Sequence, residues 1–130
     1  MVVSQSSLRQ NQFSWADIPD ISVVVPIYNE VESLSHLIEA IAATLQDYQR
    51  SYEIICIDDG SSDGSTELLK QLASTRTDVR AVLLRRNYGQ TPAMAAGFNY
   101  ARGKVIVSLD ADLQNDPADI PRLVDKLAEG

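Results

Sequence analysis

Two aspartates one residue apart, Asp110 and Asp112, follow the apolar run Val105-Ile106-Val107-Ser108-Leu109, and Gln114 repeats the spacing once more. A short Val/Ile run that stops at acids reads as a buried parallel strand. Residues i and i+2 of a strand point to the same side, so the two carboxylates converge just past the strand end. Held together, they raise each other's pKa unless a positive group lies between them. A divalent cation bridging to a phosphate meets that need. Mg²⁺ or Mn²⁺ takes one or two carboxylates, some waters and phosphate oxygens, and the Gln114 amide oxygen could add a ligand or orient one. The competing role for acids here is to cap the next helix. Asp116, followed by Pro117, fills that role and frees the earlier pair.

The elements that must position these acids alternate along the chain. Ile21–Ile27 reads as a strand, and Asn29 as the cap of a helix with Glu32 reaching back to it. Val31, Leu34, Ile38, Ile41 and Leu45 form a stripe at helical spacing. Strand Tyr52–Ile57 and helix Thr66–Ala73 follow, then strand Val79–Leu84. Thr91-Pro92 reads as a cap and first-turn proline, opening a helix of small residues that Gly103 ends. Strand Lys104–Leu109 comes next, and Asp116-Pro117 begins a last helix, with Pro121 tolerable only near its first turn. Four strand–helix repeats predict an α/β fold: an open, mostly parallel, Rossmann-like sheet with helices on both faces. In such sheets ligands bind beyond the carboxyl ends of the strands, where strand order reverses. The unusual polar residues of this chain all follow strands.

Each of those loops carries candidates. In Asp58-Asp59-Gly60, Asp59 suits a hydrogen bond from a base's ring N–H or a ribose hydroxyl, while Asp58, Asp63 and Gly64 suit turns and caps. The Gly-Lys-Ser/Thr ending of a P-loop is absent. Tyr28 offers a ring on which a base can stack. Glu30 can hold a ribose or a basic side chain, or merely favour the helix N-terminus beside it. Arg85 and Arg86 can pair with a diphosphate or with the acidic loops, or stand exposed. His36 lies in the first helix, away from these loops, and reads as a surface or boundary residue. Cys56, the single cysteine, sits in an apolar run and reads as an inert buried thiol.

The chain has 130 residues, enough for one core. Its 18 acidic and 11 basic side chains leave a net charge of −7, which argues against nucleic acid as a partner, since that needs a basic stripe. A nucleotide held through a cation escapes this objection. Residues 1–20 read as a polar lead-in, with Phe13, Trp15 and Ile18 available to pin it, and without the apolar core of a signal peptide. No apolar run approaches the ~20 residues that cross a bilayer. The chain as it stands is expected to be soluble and cytoplasmic.

Taken together, VVVPIYNE, IDDGSSDGS, RRNYGQTPAMAAGFNYARG and SLDADLQNDP resemble the N-terminal half of family 2 GT-A glycosyltransferases. The resemblance covers residues 21–130 and is strongest to the polyprenyl-phosphate branch, which includes dolichol-phosphate mannose synthases and bactoprenol glucosyltransferases. It implies a UDP- or GDP-linked sugar of glucose or mannose type as donor and a polyprenyl phosphate lipid as acceptor. It places Pro26, Tyr28 and Glu30 in the nucleotide pocket and Ile57 and Asp59 beside the base. Asp110 and Ala111 would contact the nucleotide, and Asp112 and Gln114, with Asp110, would hold Mg²⁺ or Mn²⁺. The implied reaction is inverting: a lipid phosphate oxygen attacks the anomeric carbon. Family members continue further, with an acceptor-side region and often C-terminal membrane helices. A full-length version is therefore expected at the cell membrane with a cytoplasmic active site, and a homo-oligomer would form through that C-terminal region.

Two other readings stay open. One is a phosphoacceptor receiver domain, also parallel α/β with clustered acids and Mg²⁺. Receivers place the acidic pair after the first strand and a lone aspartate after the third, where this chain has Pro-Ile-Tyr-Asn-Glu and Arg-Arg-Asn. The other is a donor-binding fragment without turnover.

Overall fold

The computed structural model describes residues 2–4, 18–109 and 116–129. Asp110, Ala111, Asp112 and Gln114, and likewise Phe13 and Trp15, lie outside the described residues. The elements are β1 (Val2–Ser4), β2 (Ile21–Ile27), α1 (Leu34–Tyr48), β3 (Tyr52–Asp58), α2 (Ser65–Thr75), β4 (Val79–Leu83), α3 (Gln90–Tyr100), β5 (Val105–Ser108), a 3₁₀ turn (Pro117–Asp119) and α4 (Ile120–Glu129). They form one five-stranded sheet in the order β1-β5-β2-β3-β4. Four strands are parallel. β1 lies antiparallel on β5, inside the stretch that the sequence reads as a lead-in.

The strand order explains the layers. From β2 the chain steps outward through β3 to β4, then returns across the sheet to pair β5 with the other side of β2. Crossovers between parallel strands are right-handed, so reversing the direction of travel moves the crossover helix to the opposite face. Leu34, Ile38, Ile41 and Leu45 of α1 and Leu69 of α2 accordingly pack on Val23, Val25, Ile54 and Cys56, together with Ile120 and Val124 of α4. Ala93 of α3 packs on the alternate residues Val24, Ile55, Ile57 and Ile106. Every residue of β2 is buried, which is why its Val/Ile run shows no polar alternation. The small residues of α3 let it lie close: a Cβ on Gly97 would stand 2.3 Å from Val24 Cγ1 and 2.6 Å from Ile57 Cδ1.

Two predicted helix starts move. α1 begins at Leu34, preceded by Ser33, and not at Asn29. Asn29 adopts a left-handed φ of 53° and uses its side-chain oxygen elsewhere, accepting the Ser62 N–H at 2.9 Å. α3 begins one residue before Thr91, with Gly89 at its cap position, so Thr91 and Pro92 both fall inside the first turn. Asp116 does cap the last helical segment, accepting the Ala118 N–H at 3.0 Å, and Pro121 lies in the first turn of α4.

Candidate functional site

The loops that follow β2, β3 and β4 all leave the same edge of the sheet, because these strands are parallel. Among the described residues, pairing of β2 with β5 runs to Val24 and Ser108, and the Leu109 N–H donates to the Val24 carbonyl at 2.9 Å. Pro26 has no N–H to offer a ladder. On its other side β2 stays paired, Pro26 with Ile57 and Ile27 with Asp58. Strand order reverses between β5 and β2, and open α/β sheets bind ligands beyond the carboxyl ends of the strands at such a point. Leu109, buried, is the last described residue before the acidic pair.

Hydrogen bonds join the loops to one another. The Asn29 N–H donates to Ser61 Oγ at 2.9 Å, the Glu30 N–H to Ser65 Oγ at 2.9 Å and the Val31 N–H to Asp63 Oδ2 at 3.1 Å. With the Asn29–Ser62 bond, these tie the loop after β2 to the loop after β3. Asp63 also accepts the Ser65 hydroxyl at 2.6 Å and the Ser65 N–H at 3.0 Å. Ser65, then the other bonds, hold the Asp63 carboxyl below its ordinary range. Asp58, almost wholly buried, accepts the Ser61 N–H at 3.1 Å and the Thr66 hydroxyl. Asp58, Asp63 and Gly64 (φ +102°) thus build the turn into α2.

Asp59 ties the third loop in. It is only 3% exposed, and its carboxylate accepts the Tyr88 N–H at 2.7 Å, the Gly89 N–H at 2.9 Å and the Asn87 side-chain amide at 3.2 Å. Its own N–H donates to the Ile27 carbonyl at 2.8 Å. Gly60, at φ +74°, lets the two loops touch: a Cβ there would lie 2.4 Å from the Arg86 carbonyl carbon. Around this frame stand exposed groups. Tyr28 is 48% and Tyr88 46% exposed, and the Arg86 guanidinium lies 5.0 Å from the centre of the Tyr88 ring. Glu30 sits half-buried at the entry to α1, where its carboxylate accepts the Ser33 hydroxyl at 3.1 Å and its carbonyl accepts the Leu34 N–H at 3.0 Å. These polar loops, tied to one another and carrying exposed aromatic rings and arginines, offer the stacking and anion-pairing groups that a nucleotide takes.

The model of glycosyl transferase family 2 matches residues 22–130. The chain belongs to this family. Among curated relatives, undecaprenyl-phosphate 4-deoxy-4-formamido-L-arabinose transferase of Pectobacterium carotovorum is 54% identical over 115 residues, 88% of this chain and 35% of the relative. The enzyme of the same name from Edwardsiella ictaluri is 50% identical over 111 residues, 85% of this chain and 34% of the relative. The chain thus spans about a third of the length of these relatives. Among solved structures, a mannosyltransferase of Pyrobaculum calidifontis in complex with GDP-Man and Mn²⁺ aligns with a TM-score of 0.64 at 30% identity, over 73% of this chain and 28% of that one. Staphylococcus aureus TarS aligns at 0.66 and 18% identity, over 85% of this chain and 32% of that one, a likeness of fold alone.

In this family 2 chain the predicted residues Pro26, Tyr28, Glu30, Ile57 and Asp59 come together at the carboxyl edge of β2 and β3. Asp110, Ala111, Asp112 and Gln114 lie outside the described residues, and among the described residues no cluster of His, Cys, Asp and Glu could hold a metal ion. Arg85 and Arg86 make no ion pair among the described residues and are both exposed. His36 is exposed on α1. Cys56 is buried in the sheet, and burial pushes its thiol up to about 12, far from a nucleophile's range. Among the described residues no helix is long and apolar enough to cross a membrane.

Sequence reasoning missed the residues that brace this frame. Glu53, 4% exposed at the amino edge of β3, accepts the Ser22 hydroxyl at 2.6 Å, the Arg102 N–H at 2.8 Å, Arg80 at 3.0 Å and the Arg102 guanidinium at 3.1 Å. Burial raises its pKa, but these bonds and the Arg102 charge outweigh burial and hold the carboxyl below its ordinary value. The only sequence signal was a lone acid inside an apolar strand. Asn87 and Tyr88 were missed as partners of Asp59, because nothing local links them. A cleft of about 610 Å³ lies at the amino edge, away from these loops, beside Tyr52, Arg76 and Asp78. There Arg76 and Tyr52 both donate to Asp78.

Proposed function

We propose that this chain is the nucleotide-sugar-binding part of a glycosyltransferase that moves a sugar from a UDP- or GDP-linked donor to a polyprenyl phosphate. The observation that carries the reading is the set of three interlocked loops at the carboxyl edge of β2, β3 and β4, held together through Asn29, Asp63 and the buried Asp59. Membership of family 2 and the relatives named for undecaprenyl phosphate support it.

In this reading Pro26, Tyr28, Glu30, Ile57 and Asp59 line the nucleoside end. Asp110 and Ala111 contact the nucleotide, and Asp112 and Gln114, with Asp110, offer the oxygen donors that Mg²⁺ or Mn²⁺ prefers. When bound, such an ion supplies positive charge to the departing diphosphate. The acceptor phosphate is already anionic, so it needs positioning more than deprotonation, and attack opposite the leaving group inverts the anomeric centre. The family resemblance implies a glucose- or mannose-type sugar. The relatives are named for 4-deoxy-4-formamido-L-arabinose, so donors of both kinds belong in the test. The full-length protein works at the cell membrane on its cytoplasmic side, with acceptor contacts supplied by further chain.

Calorimetry of the chain with UDP and GDP, with and without Mn²⁺, tests the donor site. Metal-dependent binding that is lost in Asp112→Asn is the expected result. Absence of binding for both nucleotides in Mn²⁺, or unchanged metal dependence in the variant, overturns it. A stable aspartyl phosphate after incubation with acetyl phosphate would favour the receiver reading instead.

A further inference from the structure

We propose that Tyr88, with Arg86 against its ring, is the surface on which the donor's nucleobase stacks, and that Asp59 is the positioning residue that presents it. The inference rests on the nucleotide-sugar reading above and goes further, to residues of the loop after β4.

Three observations converge. First, Tyr88 combines an exposed ring with an immobilised backbone. Its N–H and that of Gly89 are both held by the buried Asp59 carboxylate, at 2.7 and 2.9 Å. The Asn87 amide adds bonds to the Asp59 carboxylate at 3.2 Å and to its carbonyl at 3.3 Å. Gly60 packs against the Arg86–Asn87 peptide. An aromatic side chain already fixed at its root loses little freedom when a ligand lands on it, so more of the contact energy appears as affinity. Second, the ring carries a guanidinium 5.0 Å from its centre. Arg86 makes no ion pair among the described residues, on a chain of net charge −7. A cation stacked on one face of a ring favours a further π-system beside it, and base–aromatic stacking tolerates any base. Third, the strand order sets β3 between β2 and β4, so the loops that carry the exposed Tyr28 and Tyr88 lie on either side of the loop that carries Asp59.

Asp59 acts through this loop. Three of the roughly four acceptor positions of a carboxylate are taken by residues 87–89, so Asp59, besides lining the nucleoside end, sets where Tyr88 stands.

The test is titration of the chain in Mn²⁺ with UDP, GDP and inorganic pyrophosphate, which keeps the diphosphate and removes the base. Tyr88→Ala is expected to weaken both nucleotides about tenfold and leave pyrophosphate unchanged, with Tyr88→Phe restoring wild-type affinity. Asp59→Asn keeps only one acceptor oxygen for the three donors. It is expected to weaken the nucleotides and spare pyrophosphate as Tyr88→Ala does, a split that a loss of folding would not produce. Wild-type UDP affinity in Tyr88→Ala, or equal losses for UDP and pyrophosphate, overturns the inference while the donor reading stands. Failure of the wild-type chain to bind either nucleotide overturns the donor reading, and this inference with it.

Discussion

Gly60 lies so close to Arg86 that a single added methyl would meet the Arg86 carbonyl carbon at 2.4 Å and the Asn87 nitrogen at 2.5 Å. Both obstacles are backbone, which cannot swing aside as a side chain can. The φ of +74° at Gly60 is a second barrier to any L side chain. Gly60→Ala is therefore expected to lower stability by about 2 kcal/mol and to push the loop after β4 away from Asp59. Urea unfolding checks the first effect, and amide exchange at Tyr88 and Gly89 the second. Unchanged protection of those two amides would contradict the close contact.

Glu53 predicts a pH dependence. Its folded pKa is lowered from the ordinary 4.5, so the unfolded chain binds the proton more tightly. The stability it contributes is complete above the unfolded value and is lost as pH falls through the lower folded value. Removing the buried carboxylate leaves Arg80 and Arg102 unpaired, but both are more than a third exposed and regain water, so the cost is about 1 kcal/mol. Glu53→Gln should fall short of the wild type by roughly that amount at pH 7, and the gap should narrow as pH falls below 4.5. Parallel urea titrations at several pH values measure it. A gap independent of pH would show that the carboxylate charge is not what Arg80 and Arg102 recognise.

Gly97 and Val24 form a pair suited to a double-mutant cycle. The Cβ of Gly97→Ala would overlap Val24 Cγ1 at 2.3 Å and Ile57 Cδ1 at 2.6 Å, and overpacking of this kind costs about 1–3 kcal/mol. Val24→Ala removes Cγ1 and leaves a cavity. The double variant should be more stable than the sum of the single effects, because each change relieves the other. Strict additivity, read from thermal or urea unfolding, would mean that α3 moves off the sheet instead.

Local pattern determined which segments became strands and helices. Ile21–Ile27 was legible because an unbroken Val/Ile run suits a strand covered on both faces, and the structure gives it those limits. The carboxyl-edge placement of Pro26, Tyr28, Glu30, Ile57 and Asp59 followed from the same alternation, since parallel strands must all end on one side. The structural parts of Asp58, Asp63 and Gly64 were legible too, because a turn residue bonds within a few positions of itself. What the sequence could not say is who meets whom between loops. Asn29 read as a helix cap, but Ser62, 33 residues on, claims its oxygen. Asp59 finds Tyr88 across 29 residues, and Glu53 finds Arg102 across 49. Periodicity reports only which face of an element is apolar. Those partners depend on strand order and register, which exist only once β4 has settled beside β3 and β5 has returned to β2.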